Sequence, residues 1–353
     1  MQIGWVALAD YRNYSTLSYT PSERLNVITG LNAQGKTNLL EALAVLLTGR
    51  SFRTGRLAEI PRWGAPSTTI TGEVRRADGS RTLRRTIRKL EDGRWHAAGD
   101  ACPWTRAVAF GWQDLEIVNG GPGSRRNFVD GCAARLYSSH QTTLVRFRQI
   151  LARRNRLLQF RLPAALLDSR LAPWDEQLAR VGMELVDRRQ RAVAALQTEL
   201  ARVYPALSGL HHKVEIRYRA SVGETTEPAA FVAALARVRA EEVRRGQTVI
   251  GPHRDDLAIE IDGVGARAFG SRGQQRLLAL ALRLAEVLPI REAVGTAPVL
   301  LLDDALSELD PDGRENVLRE IEGAEQVFLT TPDPRPLGAG ARWVVAGGGI
   351  AAA

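Results

Sequence analysis

Eight consecutive residues have the types and spacing needed to bind a nucleotide phosphate. Gly30-Leu31-Asn32-Ala33-Gln34-Gly35-Lys36-Thr37 matches the P-loop pattern G-x-x-x-x-G-K-[ST] at every position. Backbone N–H groups of such a loop wrap the phosphates, and the following helix presents its N-terminus to them. The pattern predicts that Lys36 bridges the β- and γ-phosphates, with a catalytic role, and that the Thr37 hydroxyl ligates Mg²⁺. ATP and Mg²⁺ are therefore the expected cofactors.

A pair of carboxylates follows an apolar segment much further along the chain. Val299 to Leu302 predicts a buried strand, and Asp303 and Asp304 come directly after it. Beside a P-loop such a pair suits Mg²⁺ binding and water activation. Asp303 is the predicted metal ligand, and Asp304 is predicted to polarise the attacking water. The alternative is a strand that runs out into a solvated turn, which a complete P-loop in the same chain disfavours.

A third segment, Ser271-Arg272-Gly273-Gln274-Gln275, begins a strongly patterned helix. Its hydroxyl and the N–H groups at a helix N-terminus are suited to an anion, although serine is also an ordinary helix N-cap. The order of motifs gives this segment its weight. The P-loop comes first, followed by this run, the acidic strand, and then Ser307-Glu308-Leu309-Asp310.

The histidines are weaker candidates for chemistry. His253, in Gly251-Pro252-His253-Arg254, is open to interpretation as a catalytic base, but a structural turn is favoured because nothing nearby has metal-ligand spacing. His211 and His212 are adjacent on a predicted strand, so their side chains point to opposite faces and are poor co-ligands.

Strands and helices alternate at both ends of the chain, around a middle that is almost wholly helical. Apolar residues recur at helical spacing from Arg125 to about Leu207, with Pro163 and Pro173 bracketing a break between two long helices. No heptad persists for the three or four repeats of a coiled coil. The last strand is predicted at Val327 to Leu329. The sequence predicts an α/β head, residues 1–124 and 247–353, with an inserted mainly helical lobe, residues 125–246.

Charge and cysteine content restrict the partners and the compartment. The net charge is +9, and the only lysines are Lys36, Lys89 and Lys213, which leaves 48 − 3 = 45 arginines. This excess favours nucleic acid over the alternative of a merely basic enzyme. The two cysteines lack metal-ligand spacing, which fits a reducing compartment. With no bilayer-length apolar run and no signal-peptide pattern, we expect a cytoplasmic protein without a membrane partner.

The ordered motifs resemble those of the ATP-binding-cassette (ABC) class of ATPases. Ser271 lies 271 − 36 = 235 residues after Lys36, an interval that resembles the DNA-repair and chromosome-maintenance branch, with SMC and Rad50, more than membrane transporters. Within that branch the chain resembles the bacterial recombination mediators. The matching runs are Leu25 to Ala42, Gly251 to Asp256, Ser271 to Gln275 and Leu301 to Asp310. The implied fold is an ABC-type head with an inserted helical lobe and no long coiled coil.

The resemblance also implies roles for individual residues. In such proteins two heads close around two nucleotides, so Ser271, Gly273 and Gln274 would contact the γ-phosphate held by a second subunit. The P-loop contacts would extend to Asn38. Gln113 falls in the Q-loop segment as a catalytic ligand of Mg²⁺ or water, although Trp112-Gln113 stands where the family usually has Pro-Glu.

Two further segments are compared with the family pattern. Thr330-Thr331 stands where many relatives have a switch histidine, which implies slow hydrolysis. Arg12-Asn13-Tyr14 lies where the base and ribose are often contacted, with a short polar loop as the alternative.

The implied function is ATP-dependent DNA binding in recombinational repair. ATP would hold a homodimer on duplex or gapped DNA near junctions of single and double strands. RecO and RecR would be its partners in loading RecA, and slow DNA-stimulated hydrolysis would release the dimer. The alternatives are an SMC/Rad50-like ATPase of another DNA-maintenance pathway and, less favoured, a transport-type cassette ATPase.

Overall fold

The computed structural model describes residues 1–160, 162–225, 227–333 and 340–353. These residues form fourteen β-strands and eleven α-helices, with short 3-10 helices at Leu57–Glu59 and Trp112–Asp114. The strands are β1 (Gln2–Tyr11), β2 (Tyr14–Tyr19), β3 (Leu25–Thr29), β4 (Ser67–Arg76), β5 (Gly79–Lys89), β6 (Trp95–Gly99), β7 (Ala107–Phe110), β8 (Val214–Arg219), β9 (Asp256–Ile261), β10 (Val264–Gly265), β11 (Val299–Leu302), β12 (Val327–Thr330), β13 (Ala341–Ala346) and β14 (Gly349–Ala352). The helices are α1 (Lys36–Thr48), α2 (Leu115–Asn119), α3 (Pro122–Leu136), α4 (His140–Leu158), α5 (Ala164–Ser208), α6 (Pro228–Arg237), α7 (Arg239–Arg245), α8 (Ala266–Phe269), α9 (Arg272–Leu284), α10 (Val287–Val294) and α11 (Pro311–Ile321).

The chain divides into two compact units. The first contains residues 1–115, 202–211 and 272–353, and the second contains residues 116–201 and 212–271. This division does not test the predicted boundaries between the ATPase head and the inserted lobe, at residues 124 and 247. Those boundaries stay a prediction. None of the helices within the described ranges has the length and apolarity needed to cross a bilayer.

A six-stranded sheet organises the first unit. Its strand order is β14-β13-β3-β12-β11-β7, and all neighbours pair in parallel except the edge strand β14. Parallel strands bring their carboxyl ends to one edge, where ligands of open α/β sheets bind. The segments after β3, β11 and β12 therefore emerge side by side, although they are far apart in sequence.

Helix α1 lies between this sheet and a second, antiparallel sheet of the same unit. The second sheet has the order β2-β1-β4-β5-β6, and α1 contacts strands of both sheets. Every residue of α1 from Leu39 to Leu47 is buried, as expected for a helix that is apolar on all sides apart from Glu41. The P-loop helix is thus fixed within the core of this unit.

The second unit is mainly helical, with a small three-stranded sheet of order β10-β9-β8. Its core contains Leu144 and Phe147 of α4, Leu178 and Leu185 of α5, and Phe231 of α6.

A buried charge cluster lies in the same unit. The fully buried Arg154 guanidinium donates hydrogen bonds to Asp175 (2.7 Å) and Glu242 (2.6 and 3.0 Å). A buried guanidinium requires such partners because its desolvation is costly.

Two sequence-based expectations about elements were wrong. Helix α4 ends at Leu158 and α5 begins at Ala164, so Pro173 lies within α5 and does not border the break. Proline disfavours a helix interior, but burial of Leu171 and Leu178 on either side favours continuity. The second error concerns β12, which is not the last strand, because β13 and β14 follow it.

Candidate nucleotide-binding site

The P-loop connects β3 to α1, and the conformation of its backbone requires glycine at two positions. Gly30 has φ +143° and Gly35 has φ +114°, conformations that L side chains rarely adopt. A Cβ at Gly30 would overlap the carbonyl oxygen of Val345, and one at Gly35 would overlap the side chains of Asn13 and Tyr14. The loop is therefore packed on its outer side, which leaves its inner side for a ligand.

Lys36 folds back across this loop. Its Nζ donates hydrogen bonds to the carbonyl oxygens of Gly30 (2.6 Å) and Leu31 (3.0 Å). Partial burial lowers the pKa of Lys36, while the negative charges of Asp304 and Asp303 act in the opposite direction. The ammonium group thus lies among loop carbonyls and carboxylates.

Thr37 and Asp303 meet although they are 266 residues apart. The Thr37 hydroxyl lies 2.9 Å from both carboxylate oxygens of Asp303, and the Thr330 hydroxyl donates to Asp303 Oδ1 at 2.7 Å. Burial raises the pKa of Asp303, and the hydrogen bonds from Thr330 and Thr37 oppose that effect. The hydroxyl and the carboxylate predicted to hold Mg²⁺ are side by side.

Asp304 is held by its backbone while part of its carboxylate stays without a partner. Its N–H donates to Thr330 Oγ1 (2.9 Å), and its carbonyl oxygen accepts from Arg276 Nη2 (2.6 Å). Its φ is +52°, a strained conformation that often marks functional sites. Asp304 Oδ1 is buried and has no hydrogen-bond partner in the part of the chain that the structure describes.

These groups share one polar cavity of about 460 Å³, a size typical of ligand sites. The side chains and backbone that line it come from the P-loop, the start of α1 and the ends of β11 and β12. The lining residues are Asn32, Ala33, Gly35, Lys36, Thr37, Asn38, Arg53, Asp303, Asp304, Thr330 and Pro332. Most of them were predicted from the sequence, whereas Arg53, Thr330 and Pro332 were not predicted as part of the site.

The turn between β1 and β2 supports the P-loop from outside. Tyr14 donates from its hydroxyl to the carbonyl oxygen of Gly35 (2.9 Å), and Asn13 Nδ2 donates to that of Gln34 (2.9 Å). Asn38 Nδ2 donates to Asn13 Oδ1 at 2.7 Å. Asn13 and Tyr14 thus hold the loop, and the base and ribose contacts suggested by the sequence for this segment stay a prediction.

A second support comes from the turn between β13 and β14. The backbone N–H of Gly347 donates to Gln34 Oε1 at 3.1 Å. Thr29, the last residue of β3, donates from its hydroxyl to the carbonyl oxygen of Trp343 at 3.1 Å. The loop is thus supported from two separate strand pairs.

Arg53 lines the cavity and contacts a buried carboxylate, that of Glu41. Glu41 is fully buried in α1 and accepts hydrogen bonds from Arg12 (2.6 and 2.8 Å), Ser51 (2.6 Å) and Arg53 (3.4 Å). Arg53 also donates to Asn38 Oδ1 at 2.6 Å. Sequence reasoning missed Arg53, and the available signal was a lone glutamate inside an otherwise apolar helix.

Seven predicted residues lie outside the cavity lining. Gly30, Leu31 and Gln34 belong to the P-loop itself, and the other four come from elsewhere in the chain. Gln113 Nε2 donates to the carbonyl oxygen of Phe52 at 3.1 Å, next to Arg53. Ser271 directly precedes α9, and Gly273 and Gln274 are in its first turn. Their proposed roles concern a second subunit or a bound ligand, so they stay predictions.

The histidines have structural environments. His253 Nε2 lies 3.1 Å from the carbonyl oxygen of Thr248, and burial lowers the His253 pKa to about 4. This neutral, partly buried state fits the structural interpretation. His211 and His212 precede β8 instead of lying on it, which corrects the predicted strand, and His212 Nδ1 lies 2.6 Å from Asp262 Oδ2.

Comparison with known proteins gives a consistent result. Residues 6–128 match the family model of an AAA domain. The DNA replication and repair protein RecF of Heliobacterium modesticaldum is 36% identical over 344 residues, which cover 94% of this chain and 92% of that protein.

Solved structures agree with this similarity. The structure of the recombination mediator protein RecF-ATP in the RecFOR pathway has a TM-score of 0.87 at 28% identity, covering 100% of this chain and 97% of that chain. An Smc head bound to the C-winged helix domain of ScpA has a TM-score of 0.57 at 15% identity, covering 100% and 97%. The latter likeness concerns the fold alone. Together they confirm the predicted ATPase-head fold.

Proposed function

The chain belongs to the RecF family of DNA replication and repair proteins, and on that basis we propose that it is an ATP-dependent DNA-binding protein of recombinational repair. The observation that carries the proposal is the meeting of Thr37 and Asp303 beside Lys36 in one polar cavity. Such an arrangement of hydroxyl, carboxylate and ammonium suits the phosphates of ATP with Mg²⁺.

The residues of the cavity fit ATP and Mg²⁺. Lys36 Nζ, now on two loop carbonyls, is placed to exchange them for phosphate oxygens. The Thr37 hydroxyl and the Asp303 carboxylate would hold Mg²⁺, which supplies positive charge to the phosphates when bound. Asp304, with its buried and unpartnered Oδ1, would orient the attacking water and accept its proton.

The proposed working form is a homodimer that ATP holds together. By resemblance to the family, Ser271, Gly273 and Gln274 of one copy would contact the γ-phosphate bound at Lys36 of the other. ATP then stabilises the dimer by linkage, because it binds the closed form better than the open one. Hydrolysis would be slow and DNA-stimulated, and it would act as a timer for release.

DNA near junctions of single and double strands is the proposed target. The net charge of +9 supports a polyanionic partner. RecR and RecO would bind the clamped dimer and help it to load RecA. The proposed location is the cytoplasm.

Two substitutions separate nucleotide binding from dimerisation. Lys36→Met is expected to abolish binding of a fluorescent ATP analogue, and Ser271→Arg is expected to retain it but to stay monomeric with ATP in sedimentation velocity. Ser169→Arg, on an exposed position of α5, is the matched control and should dimerise. Normal ATP-dependent dimers of the Ser271 variant would refute the contact between subunits.

An SMC/Rad50-like role in another DNA-maintenance pathway is the second candidate, because the order and spacing of the motifs resemble that branch as a whole. The two candidates differ in DNA preference. The recombination role predicts tighter binding to gapped duplex than to blunt duplex of equal length, and stimulation of ATP turnover by duplex. Equal affinity for both would favour the second candidate, and no DNA effect on turnover would favour a transport-type ATPase.

A further inference from the structure

Helix α4 of the second unit is unusual in its charge. Its nineteen residues include five arginines but neither aspartate nor glutamate. Arg154 is buried and bonded to Asp175 and Glu242. The other four are exposed, and they form what we call the α4 arginine row: Arg146, Arg148, Arg153 and Arg156.

The row lacks the neutralising partners found elsewhere. None of its four guanidinium groups has a carboxylate partner among the residues that the structure describes. On the adjacent helix in sequence, α5, exposed Arg191 pairs with Asp187 at 3.0 Å and Arg188 pairs with Glu184 at 2.5 Å. Positive charge is thus uncompensated at these four positions of α4, whereas Arg188 and Arg191 of α5 are each paired with a carboxylate.

Packing fixes the direction in which the row points. The opposite face of α4 is buried through Leu144, Phe147, Ile150 and Leu158. At about 100° per residue, the four arginines fall within one arc of about 160°.

The row also has a definite length and polar neighbours. Arg146 and Arg156 are ten residues apart, which is about 15 Å along the helix axis. Gln149, exposed between them, adds a neutral hydrogen-bond donor. Arg153 is further positioned over the ring of Trp174, 5.6 Å from its centroid, which limits its motion.

We propose that the α4 arginine row binds the phosphate backbone of duplex DNA. This inference rests on the proposed function, and it adds the surface that carries the contact. Duplex DNA presents one phosphate per 3.4 Å of axis on each strand, so the row spans the rise of about four phosphates. Unpaired arginines suit that polyanion because they gain phosphate contacts without breaking an existing ion pair.

The row is suited to sequence-independent binding. Guanidinium groups on a convex, exposed helix face reach phosphates without any shape that would select bases. An acidic protein surface is the other class of partner that such charge attracts. Duplex DNA is favoured because the row has uniform charge, and because Val145, the exposed apolar side chain on this face of α4, is not one of the aromatic residues that typically form the core of a protein interface.

The test compares two triple variants of the full chain. Arg146→Gln/Arg153→Gln/Arg156→Gln removes three charges from the row. Arg191→Gln/Arg245→Gln/Arg319→Gln removes three exposed arginines that each pair with a carboxylate four residues earlier. Both lower the net charge from +9 to +6. Affinity for a fluorescent duplex is measured with ATP between 50 and 200 mM salt.

The row variant is expected to bind duplex at least tenfold more weakly than wild type. Its slope of log affinity against log salt should fall by about three, at about 0.9 per lost phosphate contact. The control variant should keep the wild-type slope, and a lysine version of the row (R146K/R153K/R156K) should restore most of the loss. Binding of an ATP analogue should be the same in all four proteins.

Each contrary outcome refutes either the arginine-row proposal alone or that proposal together with the proposed function. A row variant with wild-type affinity for duplex and wild-type salt slope refutes this inference alone. A row variant that keeps DNA binding but loses binding to an acidic protein partner refutes it as well. Equal losses in both triple variants would also refute it, since net charge would then suffice. Wild-type protein that fails to bind duplex at all would refute the proposed function together with the row.

Discussion

The hydroxyl of Tyr14 donates a hydrogen bond to the carbonyl oxygen of Gly35, 2.9 Å away. The bond joins the first residue of β2 to the residue immediately before α1. Tyr14 is fully buried, so water cannot replace the missing partner if either group is removed. The shape of the phosphate loop therefore depends on a side chain outside the P-loop motif.

Tyr14→Phe should weaken ATP binding about five- to tenfold. Loss of the hydroxyl leaves the buried Gly35 carbonyl without this donor, and such a bond contributes about 1 kcal/mol. The measurement is titration with a fluorescent ATP analogue. Tyr19→Phe, which removes a buried hydroxyl bonded to Asn26, is the control and should retain ATP affinity. A Tyr14 variant with unchanged affinity would show that the loop keeps its shape unaided.

Thr330→Val should reduce Mg²⁺-dependent ATP hydrolysis at least tenfold while ATP binding without Mg²⁺ is preserved. The Thr330 hydroxyl donates to Asp303 Oδ1 and accepts from the backbone N–H of Asp304, so its loss removes a partner of the Asp303 carboxylate and a support of the Asp304 backbone. Removal of this hydrogen bond also favours protonation of Asp303. Steady-state turnover against Mg²⁺ concentration measures the effect. Thr331→Val is the neighbouring control, and an equal loss there would contradict a specific role for Thr330.

Gly30→Ala should lower the free energy of unfolding by at least 2 kcal/mol more than Gly64→Ala. Both glycines have positive φ, so both substitutions introduce backbone strain. Only at Gly30 would the new Cβ also overlap a backbone oxygen, that of Val345, since Gly64 faces open space. Chemical denaturation followed by tryptophan fluorescence measures the difference. Equal losses of unfolding free energy in the two variants would mean that β13 shifts enough to accommodate the new Cβ.

His253 should make the protein less stable in mild acid. Burial lowers its folded-state pKa to about 4, below the unfolded value near 6.5. Its contribution is therefore fully present above about pH 6.5 and is lost as the pH falls towards 4. Between pH 7 and pH 5 we expect a loss of about 2 kcal/mol.

The pH effect is assigned by substitution. His253→Gln removes the titrating ring and should reduce the loss of unfolding free energy between pH 7 and pH 5 by about 2 kcal/mol. His96→Gln, at an exposed position of β6, should behave like wild type. Identical pH dependence in wild type and the His253 variant would refute the assignment.

Local signals in the sequence predicted the phosphate loop, the acidic strand and the α/β fold. They succeeded because each depends on neighbours within a few residues: glycines at a turn, or an apolar run before two carboxylates. The meeting of Thr37 and Asp303 also followed, since both lie after parallel strands. Family membership then came from the ordered set of these segments.

The remaining features depend on contacts that sequence spacing does not encode. Arg53 reaches the cavity because Glu41 is buried opposite it, and Tyr14 matters because its hydroxyl meets a loop more than twenty residues away. Pro173 lies in a helix despite its local preference. The β13–β14 hairpin escaped prediction because its strands are mostly exposed and have a weak apolar pattern.

The position of β3 between β12 and β13 has a consequence for folding of the nascent chain. On a ribosome, β3 emerges early, but its first neighbour begins 327 − 29 = 298 residues later. Pairing over so long a separation is slow, because the chain must close a large loop first. During translation the phosphate loop therefore lacks both strand neighbours of β3, although the β1–β2 turn that contacts it is made early. The cavity that contains Asp303, Asp304 and Thr330 is therefore complete only once the late strands have been made.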